Sequence, residues 1–245
     1  MTPASNCKAV FFDLGGTLRI ALLEEPYMRH ARRKMAEIAG TDLETEAFYQ
    51  LVEERYEPYR KWATKELKEA GDEELWCKWL LPDFDSERIR QVCHEMSFQY
   101  RQAKGRRVLV DGGREVIETL HARGYKLGII SNLIGEHEVP DWLEEDGLDR
   151  YFDTVILSSV CHLRKPGHEI YKVACDAIGV PPAQCASVAD NVKRDLPGAL
   201  RAGIGYNIIF DSPECKHPVE FTPENAPDAV VKDFREVLDW LPPII

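Results

Sequence analysis

The chain has 245 residues, 44% of them hydrophobic, and 31 Lys and Arg against 42 Asp and Glu give a formal net charge of -11. That length allows one large domain, or one domain carrying a sizeable insertion, with a core that needs no staple. The acidity repels phosphate backbones and anionic lipid at long range, which argues against a nucleic-acid or membrane-surface binder. The seven cysteines, Cys7, Cys77, Cys93, Cys161, Cys175, Cys185 and Cys215, contain no CxxC pair and read as reduced thiols. The sequence does not open on a basic region followed by a long apolar stretch, and no apolar run approaches the roughly 18 residues of a membrane span. A soluble, cytoplasmic protein is expected.

Residues 8–14, KAVFFDL, read as a buried strand ending in Asp13 and stopped by Gly15 and Gly16, with Thr17 next. From 20 to 107 glycine becomes scarce and Glu, Lys, Arg and aromatic residues dominate, which predicts helices throughout. One starts near Pro26 and stops at Gly40; others cover 44–57, 58–70 and 72–81. Ser86 caps the last, in which Ile89, Val92, Cys93, Met96 and Tyr100 recur at helical spacing before Gly105. Beyond 108, helix GREVIETLHARG, strands YKLGIISN and TVILSS, helix HEIYKVACDAIG, strand CASVADN, helix LPGALRAG and strand YNIIF follow one another. This order predicts a parallel sheet covered on both faces. The expected architecture is an α/β core of residues 1–19 and 108–245, interrupted by an all-helical insertion of residues 20–107 that sits over the sheet. The insertion carries 16 basic and 18 acidic side chains, so the acidity belongs to the core.

Four predicted strand ends carry polar groups: Asp13 with Thr17, Ser131 with Asn132, Lys165 before Pro166, and Asp190 with Asn191 and Asp195. Each alone is ordinary turn or cap chemistry. Together, at the ligand-binding edge of an α/β sheet, they form a set able to hold a hard cation and a phosphate. Carboxylates suit Mg²⁺, a lysine offsets phosphoryl charge, and hydroxyls donate to phosphoryl oxygens.

The motifs FFDLGGTL, GIISN, RKPGHEIY and SVADNVKRDLPGALRAGI, in that order, resemble those of the haloacid dehalogenase (HAD) superfamily of hydrolases, and the closing AVVKDFREVLDWL resembles the end of that fold. The resemblance spans essentially the whole chain. It implies a Rossmann-like core with a helical cap inserted after the first motif, as in the branch holding small phosphatases, phosphonatase and the dehalogenases. It makes Asp13 the nucleophile that forms an aspartyl-phosphate and Lys165 the stabiliser of the transferring group. Thr17 and Ser131 would bind phosphoryl oxygens. Asp13, the Gly15 carbonyl and Asp190 would hold Mg²⁺, with Asp195 supporting the metal directly or through water. Asn132 is a further substrate-binding candidate, and both Asn132 and Asn191 are weaker assignments, better suited to ordering their loops than to catalysis. The implied partner is a small phosphorylated metabolite, and the chain a monomer or homodimer.

Phosphatases of this family usually carry a second aspartate two residues after the nucleophile, where this chain has Gly15. Loss of such a general acid/base costs about 10²- to 10⁴-fold in rate. Three readings follow: a substrate with a good leaving group, an acid or base supplied by the cap (Glu24, Glu25 and His30 are near in sequence), or binding without turnover. Dehalogenases lack the metal carboxylates retained here at Asp190 and Asp195, and a phosphonatase needs a cap lysine, for which Lys34, Lys61, Lys65, Lys68 and Lys78 are available. DLGGT also resembles the first phosphate loop of actin-like sugar kinases, but that fold has no place for the helices that follow. The aromatic group Tyr49, Tyr56, Tyr59, Trp62, Trp76 and Trp79 is expected to pack the cap, and His162 and Arg164 to lie on a surface loop.

Overall fold

The computed structural model describes residues 4, 6–212, 220–222 and 226–244; Cys215 lies outside them. The chain starts in strand β1 (Ala9–Phe12), whose four residues are all buried. Their side chains alternate between two apolar layers, Val10 and Phe12 on one side and Ala9 and Phe11 on the other. A strand covered on both faces is what a continuous apolar run produces. After a tight loop comes β2 (Arg19–Leu22), then α1 (Glu25–Ala39), α2 (Thr45–Glu66), a short α3 (Asp72–Glu74) continuing into a π-helical turn (Leu75–Leu80), and α4 (Ser86–Gln102). Strand β3 (Arg106–Leu109) returns the chain to the core.

There follow α5 (Gly113–Ala122), β4 (Lys126–Ser131), α6 (Glu138–Glu145), β5 (Thr154–Leu157), α7 (Ser158–Cys161), α8 (Glu169–Ile178), β6 (Cys185–Ala189), α9 (Leu196–Ala202), β7 (Tyr206–Phe210), β8 (Ala229–Val231) and α10 (Val237–Trp240). The main sheet has the order β5-β4-β1-β6-β7-β8, and every neighbouring pair is parallel. Residues of α5, α6 and α10 cover one face, and residues of α8 and α9 the other. The α/β, Rossmann-like architecture expected from the strand and helix order is the one observed.

Three local expectations need correction. Ser86 is the first residue of α4 and not its cap, because the Asp85 carboxylate accepts from the Glu87 and Arg88 amides at 3.0 and 3.3 Å. Residues 20–107 are not wholly helical, because Arg19–Leu22 pairs antiparallel with Arg106–Leu109 in a two-stranded ribbon. The two crossings lie side by side, and pairing satisfies backbone groups that neither linker could satisfy alone. The break expected near residue 57 is also absent: α2 runs through Pro58 as one helix. Proline removes one donor there, but the buried face of Val52, Tyr59 and Ala63 holds both halves against one apolar cluster formed by the helical segment. Trp76 and Tyr59 belong to that cluster, as expected of packing aromatics, with Tyr59 and Trp79 rings edge to face at 5.4 Å.

The pairing register lines up the strand ends. Phe12 pairs with Ile129 of β4 and with Val188 of β6. Asp13, Ser131 and Asp190 therefore emerge within one or two residues of the same sheet edge.

Candidate active site

The turn after β1 closes tightly, with the Arg19 amide donating to the Leu14 carbonyl at 2.7 Å. Gly16 has φ +88°, and a Cβ there would lie 2.3 Å from Asp190 Oδ2. Only glycine lets this loop approach the loop after β6 so closely. Thr17, fully buried, points its hydroxyl at Asp190 Oδ1, 3.5 Å away.

Lys165 arrives from the loop after α7. Asn132 holds that loop by two hydrogen bonds of 2.8 Å, donating from Nδ2 to the Lys165 carbonyl and accepting from the Lys165 amide at Oδ1. This is the loop-ordering role expected of it. The Lys165 ammonium, 1% exposed, donates to Asp13 Oδ1 at 2.6 Å and to the Ile130 carbonyl at 2.8 Å. It also lies 2.5 Å from Asp195 Oδ1, a contact of charge rather than an aligned hydrogen bond. Ser131, buried, ends β4 directly after Ile130.

In the loop after β6, Asn191 Oδ1 accepts from the amides of Lys193 and Arg194 at 3.1 and 3.0 Å. This turn delivers Asp195 back to Asp190 and aims Arg194 inward. The Arg194 guanidinium donates from one terminal nitrogen to Asp13 Oδ2 at 2.6 Å, Asp195 Oδ2 at 3.1 Å and Asp190 Oδ1 at 3.4 Å. Sequence reasoning missed Arg194. Its only signal was its place between two predicted metal carboxylates, where a cation is conspicuous.

Asp13, Asp190 and Asp195 are 4%, 4% and 1% exposed, so three carboxylates share a nearly dry site. Burial works against the charge on Asp13, but Arg194 and then Lys165 outweigh it and hold the carboxyl below its usual range. Asp190 goes the other way. Burial and the charge of Asp13 push it up to about 7, against the pull of Arg194. Ligand oxygens of the three acids lie within 4.8 Å of one another. An all-oxygen donor set of this kind fits a hard divalent cation, and the raised Asp190 is the mark of a site short of positive charge.

The other acid/base candidates are engaged elsewhere. Glu24 pairs with Arg106 at 2.7 Å, Glu25 faces Arg29 and Arg32 at 3.7 and 3.6 Å, and His30 meets Arg33 at 3.0 Å. Lys34, Lys61, Lys65 and Lys78 have side chains 43%, 76%, 85% and 72% exposed, without the burial that makes an imine-forming lysine nucleophilic. Arg164 is not a surface-loop residue. It forms an ion pair with the fully buried Glu69 carboxylate, which also accepts from Ser158 at 2.9 Å and from Tyr59. His162 Nδ1 lies 3.1 Å from the Glu69 carbonyl, so this loop fastens the helical segment to the core. The Cys161 thiol is pushed up by burial, consistent with an inert residue.

Residues 7–203 match the family model of the haloacid dehalogenase-like hydrolases. The phosphoserine phosphatase of Thermus thermophilus is 26% identical over 94% of this chain and 97% of its own length. The glyceraldehyde 3-phosphate phosphatase of Methanopyrus kandleri is also 26% identical, over 95% and 96%. In fold, a 2-haloacid dehalogenase from Pseudomonas syringae superposes with a TM-score of 0.66 over 94% of this chain and 96% of its own, at 19% identity. The family model covers most of the sequence, so this chain belongs to the haloacid dehalogenase-like hydrolases.

Proposed function

We propose that the protein is a Mg²⁺-dependent phosphatase of small phosphorylated metabolites that works through an aspartyl-phosphate on Asp13. The observation that carries this reading is the Asp13 carboxylate, ionised and held between Lys165 and Arg194 beside two further acids. The similarity to two phosphatases over nearly the whole chain supports the same class.

In the first step an Asp13 oxygen attacks phosphorus, an O–P bond forms, and the ester P–O bond breaks, the leaving alkoxide taking its proton from water. Oδ2 is the attacking atom, because its partner Arg194 is 29% exposed and free to turn aside while Lys165 stays buried on Oδ1. Thr17 and Ser131 donate to the phosphoryl oxygens, and Lys165 offsets the charge gathering on them. In the second step water attacks phosphorus, the Asp13 O–P bond breaks to restore the carboxylate, and inorganic phosphate is released with the water's proton passing to solvent. Asp13, Asp190, Asp195 and the Gly15 carbonyl would hold Mg²⁺, which supplies charge neutralisation for the phosphoryl group. Gly15 offers no proton to the leaving group, so the chemical step is slowest for unactivated alkyl esters. The helical segment serves as the cap that shields this step from water. The six cysteines among the described residues are all free thiols, which supports a reducing, cytoplasmic setting.

The test is phosphate release from a metabolite panel, with and without Mg²⁺, in wild type and in Asp13→Asn. Metal-dependent release that disappears in the variant is the expected result. No release from any ester, anhydride or phosphonate would leave the second reading that Gly15 favours, a phospho-ligand-binding protein without turnover.

A further inference from the structure

Beside the strand-end carboxylates, a cavity of about 120 Å³ lies between the helical segment and the loops after β4 and α7. Its position ties it to the phosphoryl site: Asn132, which follows Ser131 and locks Lys165, forms part of its wall, and Arg164, directly before Lys165, forms another part. Four cations line it, Arg101 and Lys104 at the end of the last cap helix, Arg107 on β3, and Arg164. For a chain of net charge -11, this concentration is out of keeping with the whole.

The charges around this cavity do not balance. Arg101 shares Glu138 with Arg19, Lys104 pairs with Glu53 at 3.0 Å, and Arg164 pairs with Glu69. Arg107 donates to the main-chain carbonyls of Arg101 and Gly105, and among the described residues it has no carboxylate ion pair. Five cations thus face three carboxylates. Burial pushes Arg107 down to about 10 and lowers Lys104 as well, so both are held as cations against desolvation. A second, independent sign is Arg164 Nε, which is buried with no hydrogen bond in a residue that lines the cavity. Buried donors left unmade are costly unless a ligand satisfies them.

We propose that this cavity receives the leaving group of the substrate and that this group carries its own negative charge, a carboxylate or second phosphoryl on a chain of two or three carbons. The inference rests on the phosphatase reading for the phosphoryl half of the substrate. Volume sets the size, since about 120 Å³ holds roughly four waters' worth of liquid at ~30 Å³ each. A short hydroxy acid fills that space. Arginine forks give compact anions paired, directional hydrogen bonds, so Arg107 is the residue that reads the charge.

The experiment compares 2-phosphoglycolate, ethane-1,2-diol bisphosphate and ethyl phosphate, which share a primary alkoxide leaving group and therefore suffer equally from Gly15. Wild-type kcat/KM is expected to favour the better anionic ester over ethyl phosphate by about 100-fold, a size typical of a buried charge pair. Which of the two wins identifies the anion. Arg107→Met should cut that preference to below about 10-fold, and Lys104→Met, on a different element, should move it the same way. Equal kcat/KM for charged and neutral esters in the wild type would overturn the proposal while leaving a phosphatase. If no ester turns over, the phosphatase reading fails separately. Titration calorimetry with 2-phosphoglycolate and ethyl phosphate then decides the cavity: tighter binding of the anion upholds it, and equal binding overturns it.

Discussion

Arg194 donates to Asp13 Oδ2 at 2.6 Å while Lys165 donates to Asp13 Oδ1 at 2.6 Å, so the two oxygens of one carboxylate are divided between two cations. Arg194 also reaches Asp190 and Asp195, the other acids of the cluster. A guanidinium and a divalent cation cannot both occupy the centre of these three carboxylates. Arg194→Met should therefore tighten Mg²⁺ binding by about 10-fold, read by calorimetry, since a competing charge-assisted contact of ~1.5–3 kcal/mol is removed. The same variant should melt at lower temperature in EDTA and recover when Mg²⁺ is added. Unchanged affinity would show that Arg194 already stands clear of the metal in solution.

Gly15 has no atom within 4 Å of where a Cβ would sit, and its φ lies outside the left-handed range that excludes side chains. An aspartate is accommodated there. Gly15→Asp should raise turnover of an alkyl phosphate by roughly 10²-fold, the low end of what a positioned acid/base supplies. p-Nitrophenyl phosphate, whose leaving group needs no proton, should change by less than about threefold. Equal gains on both substrates would contradict the role assigned to the missing acid.

The raised Asp190 makes metal-free stability depend on pH. Its ordinary value is 3.8, and burial with the charge of Asp13 moves it to about 7 in the folded chain. Between these values the folded state keeps a proton that the unfolded state has released, so stability falls as pH rises through the window. In EDTA at pH 8, Asp190→Asn should be more stable than wild type by on the order of 2 kcal/mol in urea denaturation, with little difference at pH 4. A stability difference that does not vary with pH would refute this assignment.

Arg164 and Glu69 tie the helical segment to the core through a buried ion pair. Arg164→Met leaves the Glu69 carboxylate buried without its cation and should cost about 3 kcal/mol of stability. Adding Glu69→Gln should restore most of that loss, because the uncompensated charge is then gone. Additive losses in the double variant would mean the two side chains act independently.

The core was legible because local chemistry and tertiary structure agree there. A four-residue apolar run such as Ala9–Phe12 has few options besides a strand covered on both faces, and glycines 15 and 16 stop it for reasons internal to the backbone. The order of strands and helices then dictates a parallel sheet, which brings the ends at Asp13, Ser131 and Asp190 to one edge. Asn132 and Asn191 were readable as loop-ordering residues because their partners lie on backbone that turn chemistry anticipates. The ribbon of β2 and β3 was not legible, since its two strands are far apart in sequence and pair only once the helices between them have folded. Pro58 misled for the same reason: local propensity argues for a break, and burial of the flanking face prevents it. Arg164 was expected on a surface loop and Arg194 was not singled out, because nothing in a string of residues says which arginine is desolvated. That depends on carboxylates delivered by other loops, Asp13 from β1 to Arg194 and Glu69 from beyond α2 to Arg164. The sequence by itself determined the fold class and the acids and lysine of the centre. Only the tertiary structure decided how their charges are shared, and that a cavity with excess positive charge lies beside them.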